Sequence, residues 1–236
     1  PTAPRHKWMV DNDESRHAVQ AYLAANSFVD SLVGRTIDAL DASEAADNTI
    51  VVLWSDHGFH LGEKQRWAKR TLWEETTRVP LIITGPGVTK NAQCKRPVGV
   101  IDVYPTWLEQ CGIPLRDELE GKSLQPLLQD PGANWERPAL CTFGPNNHSL
   151  RSERYRYTIY ADGSQELYDH QNDPNEWSNL IAADGNCSTE HALVIKDMKQ
   201  WLPLKNVDPV PGSAGSDSPL YGEGGDVSLE EAMKRK

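Results

Sequence analysis

From Thr49 to Trp54 the chain is an almost unbroken apolar and β-branched run, and it ends directly on Ser55-Asp56-His57-Gly58. Such a run predicts a strand buried on both faces, as in a parallel sheet. Open α/β sheets hold their ligands at the carboxyl ends of their strands, which is where this run delivers a carboxylate and an imidazole. The residues ahead of it agree. Val19, Tyr22, Leu23, Val29, Leu32, Val33, Ile37 and Leu40 recur at helical spacing between residues 15 and 41, with Ser15 as N-cap and Asp47-Asn48 as the turn into the strand. Helix followed by buried strand is the rhythm of an α/β fold.

The pattern then changes. Val79 to Thr84 predicts a second short strand closed by Gly85-Pro86-Gly87, and Asp102 to Gly112 a helix with Asp102 as its cap and Gly112 as its stop. Asp130-Pro131-Gly132 and Pro138 break the regularity. Tyr155, Tyr157 and Ile159 alternate with polar neighbours, Asp162-Gly163 supplies a hairpin turn, and Glu166 to Asp169 begins the return strand. A helix from about Thr189 to Trp201 completes this part. The expected organisation is three pieces: an α/β portion over 1–137, a small antiparallel sheet with a helix over 138–203, and a flexible or surface-draped tail rich in Gly, Ser, Pro and Asp over 204–236. The chain opens on Pro1-Thr2-Ala3-Pro4 without methionine, as if cut in mid-loop.

A carboxylate at a strand end suits a hard divalent cation, and Asp56 and His57 can serve one ion if the chain turns there, as Gly58 allows. The alternative is structural, with Asp56 capping a loop and His57 packing against it. Lys69, in Arg66-Trp67-Ala68-Lys69-Arg70, is a candidate anion ligand: an ammonium near a metal could bridge an oxyanion. A solvated surface lysine is the other reading.

A formal net charge of −10 argues against nucleic acid or an anionic membrane surface as partner. No apolar run reaches the roughly 18 residues of a membrane span. Cys94, Cys111, Cys141 and Cys187 have neither zinc-site spacing nor the density of a disulfide scaffold. One or two disulfides would fit export, and four thiols the cytoplasm.

Ser55-Asp56-His57-Gly58-Phe59-His60-Leu61-Gly62-Glu63-Lys64, then Trp67 and Lys69, then Arg78-Val79-Pro80, closely resembles the sulfatase family. The branch is that of the iduronate-2-sulfatase-like and choline-sulfatase-like enzymes of the alkaline phosphatase superfamily. Tyr22 to Arg35, Asp102 to Leu108, Gly121 to Leu128, Arg154 to Tyr157, Glu166 to Asp169 and Asp173 to Trp177 follow in the family's order, so the resemblance covers about residues 15 to 202. It implies an α/β alkaline-phosphatase-like sandwich, represented by its C-terminal part, with a small antiparallel α+β subdomain.

The resemblance further implies a sulfuric ester hydrolase acting on a sulfated carbohydrate, with Asp56 and His57 as ligands of a calcium ion and Lys69 as the catalytic, sulfate-contacting lysine. His148, between Asn147 and Ser149, falls where relatives place a loop near the substrate. It is either a sugar contact or a solvated loop residue. Lys64 departs from the family, where histidine is common after Gly-Glu, and receives no role. The family's formylglycine arises from Cys/Ser-x-Pro-Ser-Arg, which no segment of this chain matches; Cys111-Gly112-Ile113-Pro114 comes nearest. The nucleophile, the other metal ligands and most of the sheet are therefore expected in an N-terminal half, in the same precursor or a second chain. Export, to periplasm, extracellular space or lysosome, follows from the family alone. The rival readings are a phosphodiesterase or phosphonate monoester hydrolase of the same superfamily, and a non-catalytic subunit or remnant that binds sulfated glycans or a partner chain.

Overall fold

The computed structural model describes residues 4–207. The expected tail therefore lies largely outside the described residues. Helix α1 (Pro4–Asp11) begins where a mid-loop opening was expected, and α2 (Ser15–Asp41) follows after Asp13 turns the chain at φ 55°. Ser15 is the first helical residue and not the cap: Glu14 precedes the helix, and no side chain caps it.

Strand β1 (Val51–Trp54) forms as expected, but its partner corrects the parallel-sheet reading. It pairs antiparallel with β4 (Leu81–Thr84) in a two-stranded sheet, Val51 opposite Thr84 and Trp54 opposite Leu81. The faces differ. Leu81 and Ile83 pack against a cluster of Leu124, Leu127 and Trp135 around α5 (Gln125–Gln129), whereas Ile82 is exposed, as are Leu53 and Trp54 on β1. The apolar run reports a strand suited to cover on both sides, and the described residues cover only part of it.

Between β1 and β4 the chain makes a small arm, β2 (His60–Leu61) paired with β3 (Trp67–Ala68), and a single helical turn, α3 (Glu74–Thr77). Helix α4 (Val103–Gln110) is stopped at Gly112, whose φ of 66° suits glycine. Asp102 does not cap it in the expected way. Its buried carboxylate accepts from the backbone N–H of Gly99 (2.9 Å) and of Lys122 (2.8 Å), fastening two loops together.

The C-terminal sheet is a four-stranded meander, β5 (Ala139–Thr142), β6 (His148–Arg151), β7 (Tyr155–Ile159) and β8 (Gln165–Asp169). The hairpin expected at Asp162-Gly163 is its last connection, whereas β5 (Ala-Leu-Cys-Thr) and β6 (His-Ser-Leu-Arg) are too short and mixed in character to announce strands. Leu150, Tyr155, Tyr157 and Leu167 on one face pack with Ile181 and with Met198 of α6 (Thr189–Lys199). Ser188 caps that helix by accepting from His191 N–H at 3.1 Å. The polar residues of β7 do not face water: Arg156 and Thr158 are buried on the opposite face, which packs toward the β2–β3 arm and α3. All four cysteines are free thiols.

Candidate active site

β1 ends at Trp54 and the backbone bends at Asp56, so Asp56 and His57 are not forced to opposite faces of a strand. His57 Nδ1 lies 2.8 Å from the carbonyl oxygen of Gly58. A carbonyl can only accept, so Nδ1 carries the proton and Nε2 of the neutral ring presents its lone pair. Lys69 Nζ meets that lone pair at 2.5 Å, and Asp56 Oδ2 lies 3.5 Å from the same nitrogen. Three residues singled out from the sequence thus converge on one point.

Gly58 is needed here for a reason other than the turn expected of it. A Cβ would stand 2.0 Å from Glu75 O, and Gly58 N–H donates to Thr76 O at 2.9 Å. The glycine allows the α3 segment to press against the backbone that carries His57. Behind it His60, fully buried, bonds through Nε2 to Thr71 Oγ1 (2.9 Å), which in turn meets Thr76 Oγ1 (2.7 Å). Burial pulls the His60 pKa below the usual histidine value, favouring its neutral form.

Lys69 stands at the end of the β2–β3 arm between Ala68 (φ 75°) and Arg70 (φ 79°), and the arm's turn holds Lys64 (φ 50°) and Gln65 (φ 57°). Non-glycine residues at positive φ cost of order 1–3 kcal/mol when held in sparsely populated regions, and they cluster at functional sites. Here they bracket the candidate lysine. The arm is closed by Gly62 N–H to Arg66 O at 2.9 Å, and the buried Trp67 donates its indole N–H to His6 Nδ1 at 3.1 Å.

Asp56, His57 and Lys69 open into a basin of about 1670 Å³, larger than the few hundred to 1,000 Å³ of most closed small-molecule pockets. In a chain of net charge −10, its wall is rich in cations, among them Arg70, Arg78, Lys95, Arg96 and Arg151. Part of this positive charge is internally matched: Arg96 pairs with Glu153, and Arg151 with Glu74.

A buried cluster that the sequence reading missed lies between α3 and the sheet. Arg156 pairs with Glu74 and with Glu176 (2.5 Å), and it donates to Leu72 O and Ser149 Oγ. His170 Nε2 lies 2.9 Å from Glu176. Glu74, His170 and Glu176 present donor atoms within 4.8 Å of one another, an arrangement a metal could use. The two carboxylates already meet the guanidinium groups of Arg156 and Arg151, so their charge is matched without an ion. Burial pushes the Glu176 pKa up, but hydrogen bonding from His170 and the charge of Arg156 outweigh it and leave the carboxyl below its usual range. No local motif announces this cluster, because its members are separated by up to 102 residues.

His148 is neither a loop residue nor solvated. It begins β6, is buried, and has both ring nitrogens engaged, Nδ1 with Thr142 Oγ1 (2.9 Å) and Nε2 with Asn206 Oδ1 (2.8 Å). It forms part of the wall of the same basin.

Comparison with known proteins matches residues 2–113 to the sulfatase family model and residues 62–205 to the model of the C-terminal part of N-sulphoglucosamine sulphohydrolase. A sulfatase of Formosa agariphila is 44% identical over 99% of this chain and 46% of its own length. Human arylsulfatase K is 32% identical over 67% of this chain and 32% of its own. Among solved structures, a protein in complex with its substrate D-glucosamine-2-N,6-O-disulfate superimposes with a TM-score of 0.62 at 30% identity, covering 76% of this chain and 38% of that one. The chain thus spans half or less of the length of these relatives. The fold is the α/β alkaline-phosphatase-like one expected, in part.

Proposed function

The chain belongs to the sulfatase family, and from that premise we propose that it supplies part of the active site of an enzyme that hydrolyses sulfate esters of carbohydrates. The observation that carries this reading is the meeting of Asp56 Oδ2, His57 Nε2 and Lys69 Nζ at the mouth of a cation-walled basin.

The donor set fits a divalent cation. Asp56 offers a carboxylate, 81% exposed, and His57 an imidazole whose Nε2 lone pair, met by Lys69 in this structure, is oriented by the Nδ1 contact to the Gly58 carbonyl, the second contact that orients metal-ligating histidines. Lying 3.5 Å apart, Asp56 Oδ2 and His57 Nε2 are close enough to serve one divalent cation. A calcium ion held there would supply Lewis-acid polarisation of a sulfate oxygen, and a formylglycine elsewhere in the protein would supply the nucleophile.

The chain's own residues do the rest of what is assigned to it. Asp56 and His57 would hold the cation, and Lys69, released from His57 Nε2, donates to a sulfate oxygen as negative charge builds on it. The strained backbone on either side of Lys69 fixes the direction of that donor. His148 makes no direct hydrogen bond to substrate in this reading, since Thr142 and Asn206 hold its ring. The remaining metal ligands come from an N-terminal part of the same protein, or from a second chain. That part would cover the exposed apolar residues of α2, β1 and β4, and this chain alone would be inactive. Export of the protein follows the family.

The test is a side-by-side assay of the full-length protein on an aryl sulfate and an aryl phosphonate ester. Sulfate turnover should dominate, and Lys69→Ala should lower it about 100- to 1,000-fold, the usual cost of losing one transition-state donor. Bound calcium should fall in Asp56→Ala. Preference for the phosphonate ester, or unchanged kinetics in Lys69→Ala, would sink the assignment.

A further inference from the structure

Lys64 has no part in the site's convergence, yet its surroundings are specific. It sits at φ 50° in the turn of the β2–β3 arm, five residues before Lys69, and its side chain runs away from the site toward the C-terminal sheet. There its Nζ lies 4.5 Å from the ring centre of Trp73 and 4.4 Å from that of Tyr168, and donates to Tyr168 Oη at 3.1 Å. Glu166 backs the box, accepting from Trp73 Nε1 (2.8 Å) and from Tyr160 Oη (3.0 Å). A desolvated ammonium between two aromatic faces is held more firmly than one in water, because the ring quadrupoles replace its hydration. Burial accordingly lowers the Lys64 pKa, while the nearby charges of Glu166 and Glu176 act the other way.

The arm needs such a hold. Its two strands are two residues each, its turn contains positive-φ residues, and a two-stranded ribbon is at best marginal on its own. We propose that Lys64 is a positioning residue: wedged between Trp73 and Tyr168, it latches the turn of the arm to the C-terminal sheet and thereby fixes where Lys69 stands. The catalytic consequence rests on the role given to Lys69 above; the latch itself does not.

Two measurements on the full-length protein separate these layers. The first is amide hydrogen exchange, comparing wild type with Lys64→Met, which keeps the length of the side chain without its charge, and with Lys64→Arg, which keeps a cation able to lie on the rings. In Lys64→Met the amides of Gly62, Gln65 and Arg66, all bonded within the turn, should exchange roughly tenfold faster with those of β7 and β8 unchanged, and Lys64→Arg should restore most of the protection. Unchanged exchange at the turn in Lys64→Met overturns the latch. If Lys64→Met loses protection throughout, Tyr168→Phe decides, since it removes only the hydroxyl acceptor: about fivefold faster exchange confined to the turn supports the latch, and none overturns it.

The second measurement is a kinetic cycle on an aryl sulfate. Lys64→Met should lower kcat/KM about 100-fold when Lys69 is present, as expected for a misplaced group, and less than about twofold in a Lys69→Ala background. Equal losses in both backgrounds would mean that Lys64 does not act through Lys69. Should the wild-type protein fail to turn over aryl sulfates at all, the sulfatase reading fails and the exchange experiment alone judges the latch.

Discussion

The C-terminal sheet and the α2–β1–β4 region both carry apolar faces but finish differently. In the sheet, Leu150, Tyr157 and Leu167 are fully buried, and even the polar face of β7 is sealed by ion pairs. In α2 none of the residues is buried, with Leu23, Phe28 and Val29 each more than half exposed, and β1 shows Leu53 and Trp54 to solvent. The sheet closes its own core, whereas α2 and β1 carry apolar faces whose cover is not among the described residues. Amphipathic periodicity fixes a helix or a strand, but only a facing element turns it into stability.

The sharpest way to break this comparison is at the seam between the two regions. Arg156, itself buried, joins the sheet to the partly buried Glu74 of α3 and to the buried Glu176, so Arg156→Ala leaves Glu74 with Arg151 alone and Glu176 with His170 alone. It should destabilise the chain by about 3–5 kcal/mol in urea unfolding, since removing one member of a buried pair leaves the other undercompensated. A loss below about 1 kcal/mol would show that the two regions are not coupled through this cluster.

A matched pair of truncations probes the two faces directly. Leu167→Ala opens a cavity in a closed core and should cost about 2–5 kcal/mol. Leu32→Ala on α2 should shift the midpoint by no more than about 0.5 kcal/mol in this chain. Joined to the N-terminal part proposed above, the same Leu32→Ala should cost up to about 2 kcal/mol if that part covers the face. Equal costs with and without that part would show that the α2 face is simply a solvated one.

What the sequence made legible follows the same division. Elements defined by local periodicity were readable: α2 by its apolar spacing, β1 and β4 by their β-branched runs, the β7–β8 hairpin by Asp162-Gly163, and α6 between Ser188 and Gln200. The point where Asp56, His57 and Lys69 meet was readable because a strand end and a short arm bring near neighbours together. Pairing was not, because a continuous apolar run reports burial and says nothing of strand direction, and β1 proved antiparallel to β4. Nor were β5 and β6, whose His148, Ser149 and Arg151 look like loop chemistry until the sheet buries or pairs them. The Arg156 ion pairs and the Lys64–Tyr168 contact escaped notice because those partners lie 20, 82 and 104 residues apart, beyond any local window.

The smallest effect concerns charge, and it separates a sheet-anchored ion pair from a solvated one. Arg154 donates twice to Asp169, at 3.1 and 2.8 Å, and these bonds, helped by Gln171 N–H and Asn172, hold the Asp169 pKa at about 2 against an ordinary 3.8. A carboxylate whose folded pKa is depressed contributes stability that is complete above 3.8 and is lost as pH falls toward about 2. Asp169→Asn should therefore unfold more easily than wild type at pH 6 and lose part of the difference between pH 4 and pH 2, as read by the urea midpoint. The Lys7–Asp11 pair on α1 is exposed at both ends, 68% and 53%, so water and salt screen it. Asp11→Asn should leave the urea midpoint at pH 6 unchanged. If Asp169→Asn cost as little at pH 6 as Asp11→Asn, Asp169 would be no better anchored than a surface carboxylate, and the contrast between a sheet closed on itself and a helix open to solvent would not extend to its charges.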